Sequence, residues 1–281
     1  MSFEMITSET TPEGVLVLTL NDPATRNSLG ETLSRELSGE VERFRQDTEL
    51  RVLVLTGADP AFCSGANVRG FDRGIQQREA AGGPAALSPW DQLDPSFTAK
   101  LNRTPGGPEI VLALHTLQKP SIAAVNGAAY GLGCGIALSC DFRVASEKAR
   151  FSEAFVRNGL IPADGSAWQL PKMIGVARTL WMQYTGEPVN GEESGRIGLV
   201  NKVVPHARLM EETLAMATQL ARGPVFSMAL IKQLVYQGFS QTLPEHLTVA
   251  TRAQNLARQT EDHKEGVRAF LEKRQPQFKG R

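Results

Sequence analysis

Thiols are scarce in this chain of 281 residues: Cys63, Cys134 and Cys140 are its only cysteines. They are odd in number and form no C-x-x-C pair, so neither a disulfide framework nor a cysteine metal site is expected, only buried reduced thiols. Excess charge is missing too. Thirty Lys and Arg balance thirty Asp and Glu, which offers no basic face to nucleic acid and none to an anionic membrane. No apolar run has the length of a membrane span, and Met1 opens no charged-apolar-small leader, so a soluble cytoplasmic protein is the expectation. The G-K-[ST] ending of a phosphate loop is absent as well. What the chain does have is apolar material, 41% of its residues, ample for one large core or two small ones.

That material is arranged in short runs. "GVLVLTL" at 14–20 and "RVLVLTG" at 51–57 are β-rich and share the pentapeptide VLVLT, which is too common in strands to establish a repeat. Between them Leu29, Leu33, Leu37, Val41 and Phe44 recur at the spacing of an amphipathic helix. "SIAAVNG" at 121–127, "FRVAS" at 142–146 and "LVNKVV" at 199–204 read as further buried strands separated by helical stretches. Strand–helix alternation of this kind predicts an α/β fold. Residues 69–118, rich in Gly, Pro and Ala, interrupt it; they read as an excursion over the surface, either covering a pocket or a plain insertion. After Pro205 three helical stretches follow with no strand between them. The expected organisation is therefore a core over 1–205 and a C-terminal helical subdomain over 206–281, packed on its own core or against a neighbouring subunit.

Two segments share one design. "DPAFCSGANV" follows the strand at 51–57, and "NGAAYGLGCG" follows the strand at 121–125. Each carries a strand through glycines towards a helix, leaving backbone N–H groups without partners at the turn. If the strands are neighbours, one N–H from each loop can converge on a single oxygen, aided by the positive end of the helix after Gly133. Such an oxyanion hole suits a thioester oxygen that becomes an enolate. The alternative is that the glycines only allow close packing of helix on strand.

"DPATRNSL", "VLTGADPAFCSGANV", "KPSIAAVNGAAYGLGCGIALSCDFRVAS" and "GLIPADGSAWQLPKMIG" resemble, in order and spacing, the enoyl-CoA hydratase/isomerase (crotonase) superfamily. The likeness continues through "TGEPVNGEESGRIGLVNKVVP" to "EGVRAFLEKRQPQFKG", and within the superfamily it is strongest to the branch that isomerises ring-epoxide CoA thioesters of phenylacetate. The resemblance implies a spiral of ββα units, a C-terminal region that trimerises, trimers that often pair into hexamers, and an acyl-CoA ligand. It implies no metal and no other cofactor, coenzyme A entering as part of the substrate. By position it puts the oxyanion hole at the N–H groups of Ala66 and Leu132, and the adenine contact at the loop of Ser64 to Ala66. Arg26 and Arg69 are placed as phosphate contacts or plain surface charges, and Phe270 and Lys273 as residues reaching the CoA of an adjacent subunit.

The family's two hydratase glutamates align with Gly135 and Phe155, and neither can transfer a proton. The nearest carboxylate left is Asp164, one residue after the usual isomerase position at Ala163. It reads either as the base or as a cap on the helix starting near Gly165. Glu153 is the second candidate, against a stronger expectation of an exposed carboxylate. Tyr130, Phe155 and Trp168 are candidate acyl-pocket walls, or simple core. His115 reads as a satisfied or surface histidine, and Cys134 lacks the nearby histidine a nucleophile needs. The function expected is an isomerase- or hydratase-like acyl-CoA enzyme. The alternatives are a thioester or C–C bond hydrolase, suggested by the P-x-D-G setting, and an acyl-CoA binder that does no chemistry.

Overall fold

The computed structural model describes residues 3–66, 76 and 109–280. The chain opens with β1 (Ile6–Thr10), β2 (Val15–Leu20), helix α1 (Glu31–Gln46), β3 (Val52–Gly57) and β4 (Ala61–Cys63). After the undescribed stretch come α2 (Glu109–His115), β5 (Ser121–Val125), β6 (Ala128–Tyr130), α3 (Leu132–Ser139), β7 (Phe142–Ser146) and β8 (Arg150–Ser152). A 3₁₀ turn (Ala154–Asn158) leads to α4 (Ser166–Ile174) and α5 (Val176–Thr185), then β9 (Val189–Asn190), α6 (Gly191–Arg196) and β10 (Lys202–Val204). Helices α7 (Leu209–Ala221), α8 (Val225–Gln237), α9 (Leu243–Ala257) and α10 (Glu261–Leu271) complete the fold.

The strands form two sheets. The larger runs β1-β2-β3-β5-β7-β10 and the smaller β4-β6-β8-β9. Pairing is parallel throughout except at β1–β2 and β8–β9. Long strands β3, β5 and β7 each hand the chain to a short strand of the second sheet, β4, β6 and β8 in turn, and β6 hands it on to α3. This is the ββα spiral that the sequence resemblance implies.

Parallel strands covered on both faces must be apolar throughout, and β3 is buried at all six positions. Alternation splits its side chains between two cores. Leu53 and Leu55 join Leu16, Leu18 and Leu20 against Leu33, Leu37, Val41 and Phe44 of α1. Val52 and Val54 join Val15, Ile122, Ala124 and Val144 on the opposite face, against Leu209, Ala217 and Ala221 of α7. The first helix after residue 205 thus closes the main sheet rather than building a core of its own. Beyond it α9 buries no residue, and Ile231, Val235, Phe239, Leu243 and Leu247 stay exposed along α8, α9 and the connection between them.

One part of the 69–118 excursion is also helical: Ile110, Val111 and Leu114 of α2 are buried, at the spacing of one helix face. Among the described residues no single helix is long and apolar enough to cross a membrane.

Candidate active site

Strands β4 and β6 run parallel, with Ala61 opposite Ala128 and Cys63 opposite Ala129. The loops that leave them therefore emerge side by side. A Cβ built on Gly65, whose φ is +94°, would stand 2.6 Å from the Tyr130 carbonyl oxygen and 3.6 Å from the Leu132 nitrogen. Only glycine suits that backbone and that approach. Leu132 is the first residue of α3, where helical N–H groups have no partner within the helix. Among the described residues, no protein acceptor takes the N–H of Leu132 or of Ala66. The packing explanation holds for a different glycine: a Cβ on Gly133 would lie 2.8 Å from the Cys63 Cβ, so α3 rests directly on β4.

The 64–66 loop is bracketed by the turn before α1. Leu29 N–H donates to the Gly65 carbonyl (2.8 Å), and Ser64 N–H to the Arg26 carbonyl (3.0 Å). Ser64 Oγ donates to the Thr25 carbonyl (3.0 Å). Asn27, fully buried, sends its amide to the carbonyls of Ala58 (2.9 Å), Ala61 (2.7 Å) and Phe62 (3.3 Å). Arg26 stands exposed on the rim of this bracket, beside Ser64. In the sequence, nothing in "DPATRNSL" gives Asn27 a task. A polar residue between strand and helix was the available signal. Below the loops, Asn126 donates to Asp59 Oδ1 (2.9 Å), and the His206 ring lies 3.1 Å from both Asp59 Oδ2 and Ser146 Oγ. The start of the C-terminal region is thereby tied to the roots of both loops.

Gly135 lies one helical turn after Leu132, and a Cβ there would sit 2.8 Å from Asp164 Cγ and 2.9 Å from Asp164 Cβ. The Asp164 carboxylate thus occupies the room that a side chain at 135 would need. Asp164 is 2% exposed and Glu153 fully buried. Burial of Glu153 corrects the expectation of an exposed carboxylate: the residue precedes the 3₁₀ turn and is tucked against the start of α4. Ser166 joins the two acids, with Oγ 2.7 Å from Asp164 Oδ1 and 2.5 Å from Glu153 Oε2. Ser166 N–H also donates to Asp164 Oδ1 (3.1 Å), and Gln183 Nε2 donates to Ser166 Oγ (3.4 Å). Both readings of Asp164 therefore have a counterpart. Oδ1 braces the first turn of α4, while Oδ2 has no hydrogen-bond partner among the described residues, nor has Glu153 Oε1. Ser166 stands in the quoted "GLIPADGSAW", yet only the fold brings it to Glu153.

Burial, and then the Asp164 charge, push the Glu153 carboxyl up to about 8. Burial likewise raises Asp164, against the opposing bonds from Ser166. The folded pair keeps a proton that an unfolded chain releases above about 4.5. Its contribution to stability is complete below that value and is lost as pH rises through about 8. Denaturant midpoints of the wild type minus those of Glu153→Gln, followed across that window, are expected to fall with pH. A flat difference would remove the shared proton.

The other candidates divide. Phe155 lies against the loop that follows β6, its ring 3.6 Å from where a Cβ on Gly131 would stand; Tyr130 is half-buried on β6, just before that glycine. Trp168 stands half-exposed on α4. Its ring meets His115 at 5.3 Å and Tyr236 at 6.5 Å, with the Lys172 ammonium 2.8 Å from its centroid. Phe270 and Lys273 are exposed at the end of α10. Arg69 lies outside the described residues. Cys134 is buried beside Glu153, and burial followed by the two acid charges drives its thiol well above the ordinary range, which disfavours nucleophilic use. Arg143 carried no role in the sequence reading. Its buried guanidinium donates to the carbonyls of Leu199 and Cys140 (2.8 Å each) and of Ala137 and Leu138 (3.4 Å each), closing the C-terminal end of α3.

The family model for enoyl-CoA hydratase/isomerase matches residues 10–96 and 103–281. The chain belongs to that family and is an acyl-CoA-converting enzyme of the hydratase/isomerase class. It is 36% identical, over all of both chains, to a protein of Rhodobacter capsulatus named "Probable enoyl-CoA hydratase". It is 35% identical to the 1,2-epoxyphenylacetyl-CoA isomerase of Escherichia coli, over 96% of each chain. It is 34% identical to the 2,3-dehydroadipyl-CoA hydratase of that organism, over 95% of this chain and 96% of the other. Among solved structures, an enoyl-CoA hydratase subunit from Geobacillus kaustophilus superposes with a TM-score of 0.82 at 33% identity, covering 99% of each chain.

Proposed function

We propose that the chain isomerises an unsaturated or ring-bearing acyl-CoA by moving a proton on the acyl chain, with Asp164 as the base. The observation that carries this reading is the position of the Asp164 carboxylate, in the space of the missing side chain at 135. The thioester oxygen accepts hydrogen bonds from the N–H groups of Ala66 and Leu132. Asp164 Oδ2 takes a proton from the carbon next to the thioester carbonyl. The electron pair left behind becomes the enolate held by the two N–H groups. Returning the proton further along the chain restores the carbonyl and shifts the double bond. One carboxylate suffices for that sequence, whereas water addition calls for an acid and a base across the double bond, and Phe155 replaces the second. No metal or redox group enters, because proton and charge are both handled by the protein.

Tyr130 and Phe155 supply an apolar wall for the acyl group. Ser64 and the loop to Ala66 hold the adenine, with Arg26 near the phosphates. Phe270 and Lys273 complete the CoA site of an adjacent subunit in a homotrimer or a pair of trimers, working in the cytoplasm. Similarity to 1,2-epoxyphenylacetyl-CoA isomerase favours a bulky or aromatic acyl group.

Incubation with a panel of enoyl-CoA thioesters in deuterated and in ¹⁸O-labelled water tests this. Deuterium is expected on the acyl chain with a shifted double bond and no ¹⁸O. Binding without deuterium exchange rejects the enolate, and ¹⁸O in the product assigns the site to hydration or hydrolysis.

A further inference from the structure

The Glu153–Ser166–Asp164 cluster can be settled by counting protons. A serine hydroxyl has one proton to donate and two lone pairs to accept with. Here two carboxyl groups lie within 2.5 Å and 2.7 Å of one Ser166 Oγ. Were both ionised, only one could receive the hydroxyl proton, and the other would press its lone pairs against those of Ser166 in a site shut off from water. One of the two is therefore a carboxylic acid. The donors decide which. Asp164 Oδ1 receives the Ser166 N–H as well, while the Glu153 carboxyl takes no backbone N–H among the described residues. Asp164 is thus the better anion and Glu153 the better acid.

We propose that Glu153 is a positioning residue: as the acid it donates to Ser166 Oγ and so turns the Ser166 hydroxyl proton onto Asp164 Oδ1. Every polar atom that meets Ser166 is then satisfied. Ser166 Oγ accepts from Glu153 and from Gln183 and donates to Asp164. Oδ1 accepts twice from Ser166. Glu153 Oε1 and Asp164 Oδ2 remain open, and of the two Asp164 Oδ2 is the one set against α3 at Gly135, one turn from the Leu132 N–H. Besides Asp164, the titratable side chain at Glu153 is the Cys134 thiol of α3, which burial keeps protonated. The proposal rests on Asp164 being the base, and it adds that Glu153 never touches substrate.

Infrared difference spectra and pH profiles test it together. Wild type minus Glu153→Gln at neutral pH is expected to show the C=O stretch of one buried carboxylic acid, a readout that needs no turnover. Absence of that band overturns the hydrogen-bond chain, whereas loss of the base role in Asp164 variants would leave the band in place; the two failures are separable. In kinetics, Glu153→Leu is expected to lower kcat by up to about tenfold with KM little changed, the upper end for the loss of one hydrogen bond between neutral groups. Glu153→Gln, whose amide still donates to Ser166, is expected to recover most of that loss. It should also abolish the fall in kcat as pH rises through about 8. A glutamine variant as slow as the leucine variant, or one with an unchanged alkaline fall, overturns the proposal. Should Glu153→Leu fail to fold, the band and the alkaline limb of Glu153→Gln decide alone.

Discussion

Turnover of the Asp164→Asn enzyme is expected to be lower by about a hundred- to ten-thousand-fold, the usual worth of a positioned general base. The substitution is nearly isosteric. An asparagine carbonyl at the Oδ1 position still accepts from the Ser166 N–H and hydroxyl, so the first turn of α4 keeps its brace. Room against Gly135 remains filled, because the amide nitrogen occupies the site of Oδ2. What disappears is the proton acceptor. Acyl-CoA affinity should therefore change little while kcat and deuterium exchange fall together, the signature of an interaction made only along the reaction path. Circular dichroism and the denaturation midpoint establish that the fold is intact. If Asp164→Asn turns over at the wild-type rate, proton transfer belongs to another group and the substitution at 135 has a purely steric meaning.

The architecture was readable because it repeats at short range. The spacing of Leu33, Leu37, Val41 and Phe44 marks a helix face, and the continuous apolar run of β3 marks a strand covered on both sides. The two glycine turns were legible for the same reason: each follows its strand directly, so adjacency of β4 and β6 was enough to bring Gly65 to Leu132. The acid cluster was not. Glu153 and Ser166 meet across the turn that joins β8 to α4, and nothing local to "FSEAFVRN" says that its glutamate points inward. Trp168 could not be placed either, since its partners His115 and Tyr236 come from α2 and α8. The packing of α7 was likewise not legible, because its apolar face reads the same whether it covers a sheet or another helix. In each case the deciding contact spans elements that only the fold brings together.

Helix α3 connects these observations. It is apolar, buried along seven of its eight residues, and its two ends are treated oppositely. At the C-terminal end Arg143 takes up carbonyls that would otherwise stay unpaired, placing a cation where the helix dipole is negative. At the N-terminal end the peptide groups are left open beside Gly65. On the proposed mechanism, a helix fixed so firmly at one end and open at the other would present its dipole to the developing oxyanion without having to move, the condition under which such a field is effective.

Leu132→Pro isolates that contribution. Proline is well accommodated at the first position of a helix, where the missing N–H has no intrahelical partner and the fixed φ already suits the helix. Its predecessor is Gly131, at φ 50° and ψ −123°, well away from the right-handed helical values that proline disfavours in the residue before it. The exchange thus deletes one donor with little demand on the backbone. The Leu132 side chain packs against the main core, so Leu132→Ala serves as the companion that removes the side chain and keeps the amide. Loss of the N–H is expected to lower kcat by about a hundred- to a thousand-fold, the cost of one oxyanion donor, with a far smaller loss in the alanine variant. Equal losses in the two would assign the effect to packing. A proline variant that is stable, binds acyl-CoA and turns over normally would mean that the thioester oxygen is held somewhere other than at the start of α3.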